Sequence, residues 1–461
     1  MLYHYYLSIH SASHSHQLFG ILRDTLMESK YVVEKGLRSV KPYYFEYKTP
    51  FKPRWANMTA KQVLCKELGQ VDSVVDQSID RGHIYITKNN GKTGGPVAIK
   101  FDMARTHKLQ PHDIIYNIQH MHEPSVIWET NLGNGDLDEE AGCLRLRVTG
   151  RFHAEVQNAR MLKSGLCILF ENEDVVVVSK PGGVATHPSG IYRLNTLTEI
   201  VRQELGQEVW PCHRLDKATL GVLVMAKTKG VCTKIMETIK DKEESIEKHY
   251  VARVKGKFHE EYRYCCPVFT VNSASKGYIN VPNAKQVSTG STTIFQKIKY
   301  LAATDESIVK CQPISGKMHQ IRVHLRNLGF PISNDPLYNP KTEVNRRKNE
   351  IEMMIYNKIF TRWPSLRYGN IEQVPLTIDV SSFILEEIRL DIDGLADLRK
   401  EFERQQETQT LTTGTSSLCN ECGRQIFNND PETGIFLHSL RLKSLGDMNL
   451  DFATEYPKWC E

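Results

Sequence analysis

The apolar pattern changes period several times along the chain, and each change marks an expected element. From Thr59, Ala60, Leu64 and Leu68 recur at helical spacing, and Val74, Val75 and Ile79 begin a second helix that ends near Gly82. A strand at residues 83–87, an Asn89-Asn90-Gly91 turn, and strands at 97–100 and 113–116 follow. Helix pair and small sheet make one compact unit at residues 57–120. Further on, Leu169-Phe170, the turn Asn172-Glu173-Asp174 and the valine run 175–178 read as a buried hairpin. Thr196 and Glu199 form a capping box ahead of Ile200, Val201 and Leu205, with Gly206 as the stop. Strands are expected at 222–226, 249–254 and 307–312, and helices at 228–240 and 316–328. In the second of these helices Met318, Ile321 and Leu325 make the core stripe. Strands and helices mixed in this order give an α+β class with a mixed, largely antiparallel sheet.

This patterning divides the chain into an aromatic and basic arm (1–56, with Tyr43–Tyr47 and Trp55), the 57–120 module, a connection (121–166), a main domain (167–404), and a linker with an acidic tail (405–461). No run approaches the roughly 18 apolar residues of a membrane-spanning helix, so no membrane association is expected. The eleven scattered cysteines suit a reducing compartment better than a disulfide framework. Cytoplasm or nucleus is expected. The lack of acids before Asp24 leaves mitochondrial import open, and a monomer is the default.

Charge is uneven. Residues 401–461 hold 5 Lys+Arg against 10 Asp+Glu, which leaves the preceding 400 residues at net +10. Residues 251–330 hold 12 against 4, the local surplus that attracts a phosphate backbone or merely solvates a surface. RNA becomes a candidate partner.

The segment Pro211-Cys212-His213-Arg214-Leu215-Asp216-Lys217 sets a carboxylate between two cations ahead of an apolar strand. Cations keep such a carboxylate ionised, as a nucleophile or base requires. For an isolated Arg-x-Asp a loop salt bridge is the far commoner reading. This segment resembles the catalytic loop of the RluA family of RNA pseudouridine synthases. Lys180–Pro188 resembles that family's first motif, Lys248-His249-Tyr250 its Lys-x-Tyr, and Gly316–Leu325 with Asp335-Pro336-Leu337-Tyr338 its last. Four motifs in order over residues 167–340 are far more specific than any one. Two positions depart from the pattern: Leu220 replaces a small residue, and Lys317 replaces an arginine whose fork could grip phosphate.

The resemblance implies that Asp216 is the catalytic carboxylate, that Tyr250 stacks under the uracil and is a candidate base for the carbon-5 proton, and that Arg322 pairs with Asp216. Arg214 would enter the helix stack as the uridine leaves it. His213, Lys180, His187, Lys317, His319 and Gln320 are expected on the substrate. Breaking the N–C glycosidic bond, turning the base and rejoining the sugar to carbon 5 gains and loses no atoms, so no redox cofactor or nucleotide is needed. Whether Asp216 attacks, stabilises or deprotonates the sugar stays open. Because the base must leave its stack, a structured RNA loop is the natural substrate. The 57–120 module resembles the αL-type RNA-binding module. With the aromatic arm and His122-Glu123-Pro124-Ser125-Val126, it is most similar to the eukaryotic branch acting on tRNA position 32 in the anticodon loop.

Cys419 and Cys422 form a lone Cys-x-x-Cys, which His438 and Cys460 could complete as a zinc site; the bland alternative is a docked tail. His187, His213 and His324 are not at ligand spacing. No His-x-Glu with a partnered Pro-Cys-x-x-Cys is present, so deamination is not predicted. The competing functions are a synthase acting on mitochondrial, ribosomal or messenger RNA, a non-catalytic RNA-binding protein, and a zinc-dependent nucleic-acid hydrolase.

Overall fold

The computed structural model describes residues 31–368 except 35, 69, 71, 89–96, 128–159, 163, 241–245, 270–271, 274–278 and 281–287, then 382–384, 386–387, 419, 421, 434–444 and 450–461. The Asn89–Gly91 turn, the Asn131–Gly142 connection, the 405–418 linker and Cys422 lie outside the described residues. The chain forms two compact units. One comprises Met1–Lys41, Glu123–Val251 and Phe427–Glu461, the other Pro42–His122 and Ala252–Ile426.

In the first unit the valine run is a strand, Val175–Lys180, paired antiparallel with Cys167–Glu171 and with Leu220–Ala226. Asn172 closes the hairpin by accepting from the N–H groups of Asp174 and Val175. Such continuous valines are stable only if both faces are covered. Val176, Val178, Leu223 and Met225 pack with Leu197, Ile200 and Val201, from a helix at Leu197–Leu205. Val175, Val177, Val222 and Val224 pack on the other side with Cys232 and Ile235, from a helix at Lys229–Lys240. Gly206 stops the first helix with φ +65, as its position suggests, but the expected capping box does not form. The Thr196 hydroxyl instead donates to the Arg193 carbonyl, and Glu199 pairs with Arg202.

Part of the region read as an acidic tail belongs to this sheet. Leu437–Ser444 is a strand, and it runs parallel to Leu220–Ala226 with Gly221 opposite Ser439. Gly221 has φ +107, and a Cβ there would lie 2.2 Å from the Ser439 carbonyl oxygen, so only glycine admits this strand. A small sheet of Tyr31–Glu34, Leu37–Val40 and Val126–Ile127 completes the unit. Beside it the Glu123 carboxylate accepts from the N–H groups of Arg193, Leu194 and Asn195 at 2.8–2.9 Å. Buried Arg38 donates to the Leu194 carbonyl and the Asn195 side chain.

In the second unit an antiparallel sheet runs in the order Tyr43–Pro50, Ile114–Met121, Ile84–Lys88, Val97–Ile99. Tyr43–Pro50 thus joins the module from upstream of the boundary expected at residue 57, and Trp55 lies in its core with Ala60, Val63, Ile86 and Ile115. Helical turns at Ala60–Glu67 and a helix at Asp72–Asp80 cover the sheet, and Thr59 and Gln62 form a capping box there. Leu68 and Val74, expected as apolar helix positions, are exposed.

The same unit carries Glu261–Val268, Ser288–Leu301 and Glu306–Pro313 as an antiparallel set, followed by helices at Gln320–Asn327 and Glu343–Arg362. The long strand Ile246–Lys255 leads the chain from one unit into the other. Among the described residues no helix is long and apolar enough to cross a membrane.

Candidate active site

Asp216 lies in the loop between Trp210–Pro211 and Leu220–Ala226, where Thr219 N–H donates to its carbonyl at 3.0 Å. The loop is built from beneath. Lys180, 1% exposed, donates through Nζ to the carbonyls of Pro181, Lys217 and Thr219 at 2.8–2.9 Å. Two of those carbonyls belong to the three residues that follow Asp216. Thr186 adds a bond from its hydroxyl to the Leu215 carbonyl at 3.0 Å, and Gly183 N–H reaches the Lys217 carbonyl at 2.9 Å. Desolvation pulls Lys180 down to about 7, opposed by the negative charge of Asp216. Lys180, expected on the substrate, is buried in this structure and braces the loop from beneath.

His213, also expected on the substrate, is half-buried and bonded to the backbone. Its Nε2 accepts from the Val224 N–H at 3.1 Å, tying the loop to the next strand. Burial, with Lys248 adding repulsion, lowers it to about 3, so it is neutral. Arg214 is exposed, as a residue that enters an RNA stack must be. His187 is half-buried, its basicity lowered by desolvation and then by the Arg214 charge. Lys217 lies 4.6 Å from the centre of the Tyr192 ring and donates to its hydroxyl at 3.2 Å.

Tyr250 sits on Ile246–Lys255 and packs against the cluster of Val176, Leu215 and Leu223. Burial raises its phenol to about 12; a Ser439 hydrogen bond opposes the rise and the Asp216 carboxylate adds to it. A phenol that keeps its proton at neutral pH therefore stands in the field of the Asp216 carboxylate. Ser439 escaped the sequence reading because it lies on the Leu437–Ser444 strand, which no spacing rule connects to the catalytic loop.

The last motif lies in the second unit. Arg322, on the Gln320–Asn327 helix, makes a two-pronged pair with Asp335, Nε to Oδ2 at 2.7 Å and Nη2 to Oδ1 at 2.9 Å, and both side chains are nearly inaccessible. Asp335 Oδ1 also accepts from the N–H groups of Leu337 and Tyr338. His319 precedes the helix with φ +57 and meets the Tyr338 hydroxyl through Nδ1 at 2.8 Å. Gln320 is buried and donates to the Thr292 carbonyl and Thr293 hydroxyl at 2.9 and 3.0 Å. Gln320, expected on the substrate, here ties the start of the helix to the Ser288–Leu301 strand. Lys317 is exposed and able to meet phosphate. The apolar stripe is also corrected: Ile321 and Leu325 are buried, but Met318, ahead of the helix, is 49% exposed.

Of the cysteine-rich candidates, His438 Nε2 is 2.5 Å from the Thr454 hydroxyl, and Cys460 is a buried thiol in the same unit. Cys419 belongs to the other unit and meets His120 and His122. Those two histidines were missed in the sequence reading. Their His-x-His spacing on a strand was the available signal.

Residues 174–327 match the family model described as RNA pseudouridylate synthase. The chain is 30% identical to pseudouridylate synthase RPUSD2 of Mus musculus over 467 residues, covering 94% of this chain and 73% of the relative. It belongs to the RluA-type RNA pseudouridine synthases. Two relatives from Saccharomyces cerevisiae extend the comparison. The tRNA pseudouridine(31) synthase is 27% identical, over 93% of this chain and 96% of its own. The mitochondrial tRNA pseudouridine(32) synthase is 31% identical, over 68% and 57%. The RluA-type motifs are the segments whose geometry is given above, and the matched residues hold both Asp216 and Arg322. The protein is an isomerase of uridine in RNA.

Proposed function

We propose that this synthase isomerises a uridine in the anticodon loop of tRNA, at or next to position 32, with Asp216 as the catalytic carboxylate. The observation that carries the reading is Asp216 itself: a half-exposed carboxylate on a loop pinned by buried Lys180, with the Tyr250 phenol in its field. The names of the two yeast relatives support tRNA. In the reaction the N1–C1′ bond breaks, the uracil turns, C5 bonds to C1′, and the carbon-5 proton leaves while N1 regains one. Asp216 acts on the sugar as nucleophile, stabiliser or base. Tyr250 stacks on the base and takes the carbon-5 proton; a phenol raised to about 12 holds its own proton at neutral pH, so proton uptake requires it to hand that proton on. Arg322 is the proposed cation for Asp216, while Arg214, Lys217 and Lys317 hold the flipped strand. Extrusion costs a few kcal/mol and least in a loop. The protein acts as a monomer in the cytoplasm or nucleus, with mitochondria as the alternative.

The test is tritium release from tRNA labelled at carbon 5 of uridine. Release by the intact chain and none by Asp216→Ala, with RNA binding kept, is expected, and sequencing then maps the site. Binding without release from tRNA, ribosomal or messenger RNA would overturn the catalytic reading in favour of a non-catalytic RNA-binding protein. Release from ribosomal or messenger RNA alone would overturn the tRNA assignment.

A further inference from the structure

The tRNA reading leaves one chemically dense cluster unused. His120 is the penultimate residue of the strand Ile114–Met121 and His122 comes just after its end, so both rings project from one face of extended chain. Their ring centroids are 4.8 Å apart. Buried Cys419, 299 positions from His120, brings its Sγ to 3.6 Å from His120 Nδ1. One donor atom from each of the three residues falls within a 4.8 Å set.

The spacing is that of a thiol–imidazole hydrogen bond, and it equally suits two ligands of one metal. A nitrogen about 2.0–2.1 Å and a sulfur about 2.3 Å from one tetrahedral zinc are roughly 3.5 Å from each other. His120 Nδ1 and Cys419 Sγ stand at 3.6 Å. The other nitrogen of His120 faces a carboxylate, with Nε2 3.7 Å from Glu421 Oε2. A ligating imidazole commonly points its second nitrogen at such an outer carboxylate. Tyr44, opposite His120 in the sheet register, stacks on its ring at 4.6 Å and fixes its plane. In sequence, Cys419 opens the Cys-x-x-Cys that the isomerase chemistry does not use.

We propose that His120, His122 and Cys419 bind a structural zinc ion that staples the chain at residue 419 to the four-stranded sheet of the N-terminal module. On binding, the Cys419 thiol gives its proton to solvent and both imidazoles bind in neutral form. The ion takes no part in the isomerisation. It closes a loop of some 300 residues, which is where a cross-link removes most unfolded-state entropy.

The test uses the full chain, purified without chelator and analysed for metal by mass spectrometry. One zinc per chain is expected, falling at least fivefold in Cys419→Ser and in the His120→Ala, His122→Ala double variant, and unchanged in Cys460→Ser. Cobalt supplied to stripped protein should give tetrahedral d–d bands with a thiolate charge-transfer band that Cys419→Ser loses. If a variant fails to fold, stripping the intact chain with a chelator decides: accelerated thiol labelling at Cys419 and a lowered Tm, both restored by zinc alone, support the site. Folded, zinc-free protein that gives no cobalt bands overturns the proposal, as does full zinc content in Cys419→Ser. Either failure leaves tritium release from RNA untouched, so it is distinguishable from failure of the tRNA assignment.

Discussion

Lys180 and Arg322 are both buried cations from family motifs, yet they are held by opposite means. Lys180 has its three ammonium hydrogens on three backbone carbonyls. Arg322 has a carboxylate fitted to its fork. The difference follows from side-chain chemistry: an ammonium is a compact point donor that can gather carbonyls from a folded loop, whereas a guanidinium presents two parallel N–H groups that match a carboxylate. The lysine therefore sets the shape of a loop, and the arginine sets the position of a charge. Charged motif residues are not by that fact substrate contacts.

The comparison can be broken at each end. The largest effect is expected at the carboxylate that the Lys180 loop presents: Asp216→Ala should lower tritium release by about 10⁴-fold or more with RNA affinity nearly unchanged, read by a filter-binding assay alongside the rate. Next comes the buried ion pair. Asp335→Asn takes the carboxylate from the fork of buried Arg322 and should cost about 3–5 kcal/mol in denaturant unfolding. A loss under about 1 kcal/mol would mean that the pair is not what holds the arginine.

Lys180→Met should cost less, about 2–3 kcal/mol, because neutral carbonyls rather than an ion lose their partner. It should also carry a pH signature. The folded value of about 7 lies below the unfolded 10.5, so the unfolded chain binds more protons between the two and stability at this site rises with pH across that window. The stability gap between the intact chain and Lys180→Met should therefore widen from pH 7 to pH 10; a gap that narrows would contradict the burial of an ammonium. The smallest effect belongs to an exposed cation that neither arrangement holds. Lys317→Ala should weaken RNA binding by less than about tenfold and reduce the salt slope by about 0.7–0.9.

Much of this was readable in advance wherever the signal was local. The valine run, the strand closing at Ala226 and the helix at Lys229–Lys240 follow from runs and periods that a short window contains. The four motifs singled out Asp216, Tyr250 and Arg322 as candidates. What stayed hidden depends on pairing across the chain. Nothing near Lys180 announces that its acceptors lie at residues 217 and 219, nothing near Gln320 points to Thr292, and residues 437–444 sit in an acidic, polar setting that reads as tail. The helix Glu343–Arg362 is obscured by charges at buried positions, since Glu352 is inward-facing and bonded to Arg326 at 2.6 Å. Thr196 carried a correct helix start with the wrong hydrogen bond, because a nearby carbonyl outcompeted the helix for its hydroxyl.

The parallel strand Leu437–Ser444 has a consequence for synthesis on the ribosome. The Leu220–Ala226 strand emerges long before Leu437–Ser444, so although it can pair at once with Val175–Lys180, its edge at Leu220 and Gly221 stays open in the nascent chain. A message truncated before codon 437 would thus yield a product that carries every RluA-type motif yet lacks the neighbour of Gly221 and the hydroxyl beside Tyr250. Such a product is expected to be inactive, which tritium release by a chain stopped before residue 437 would check.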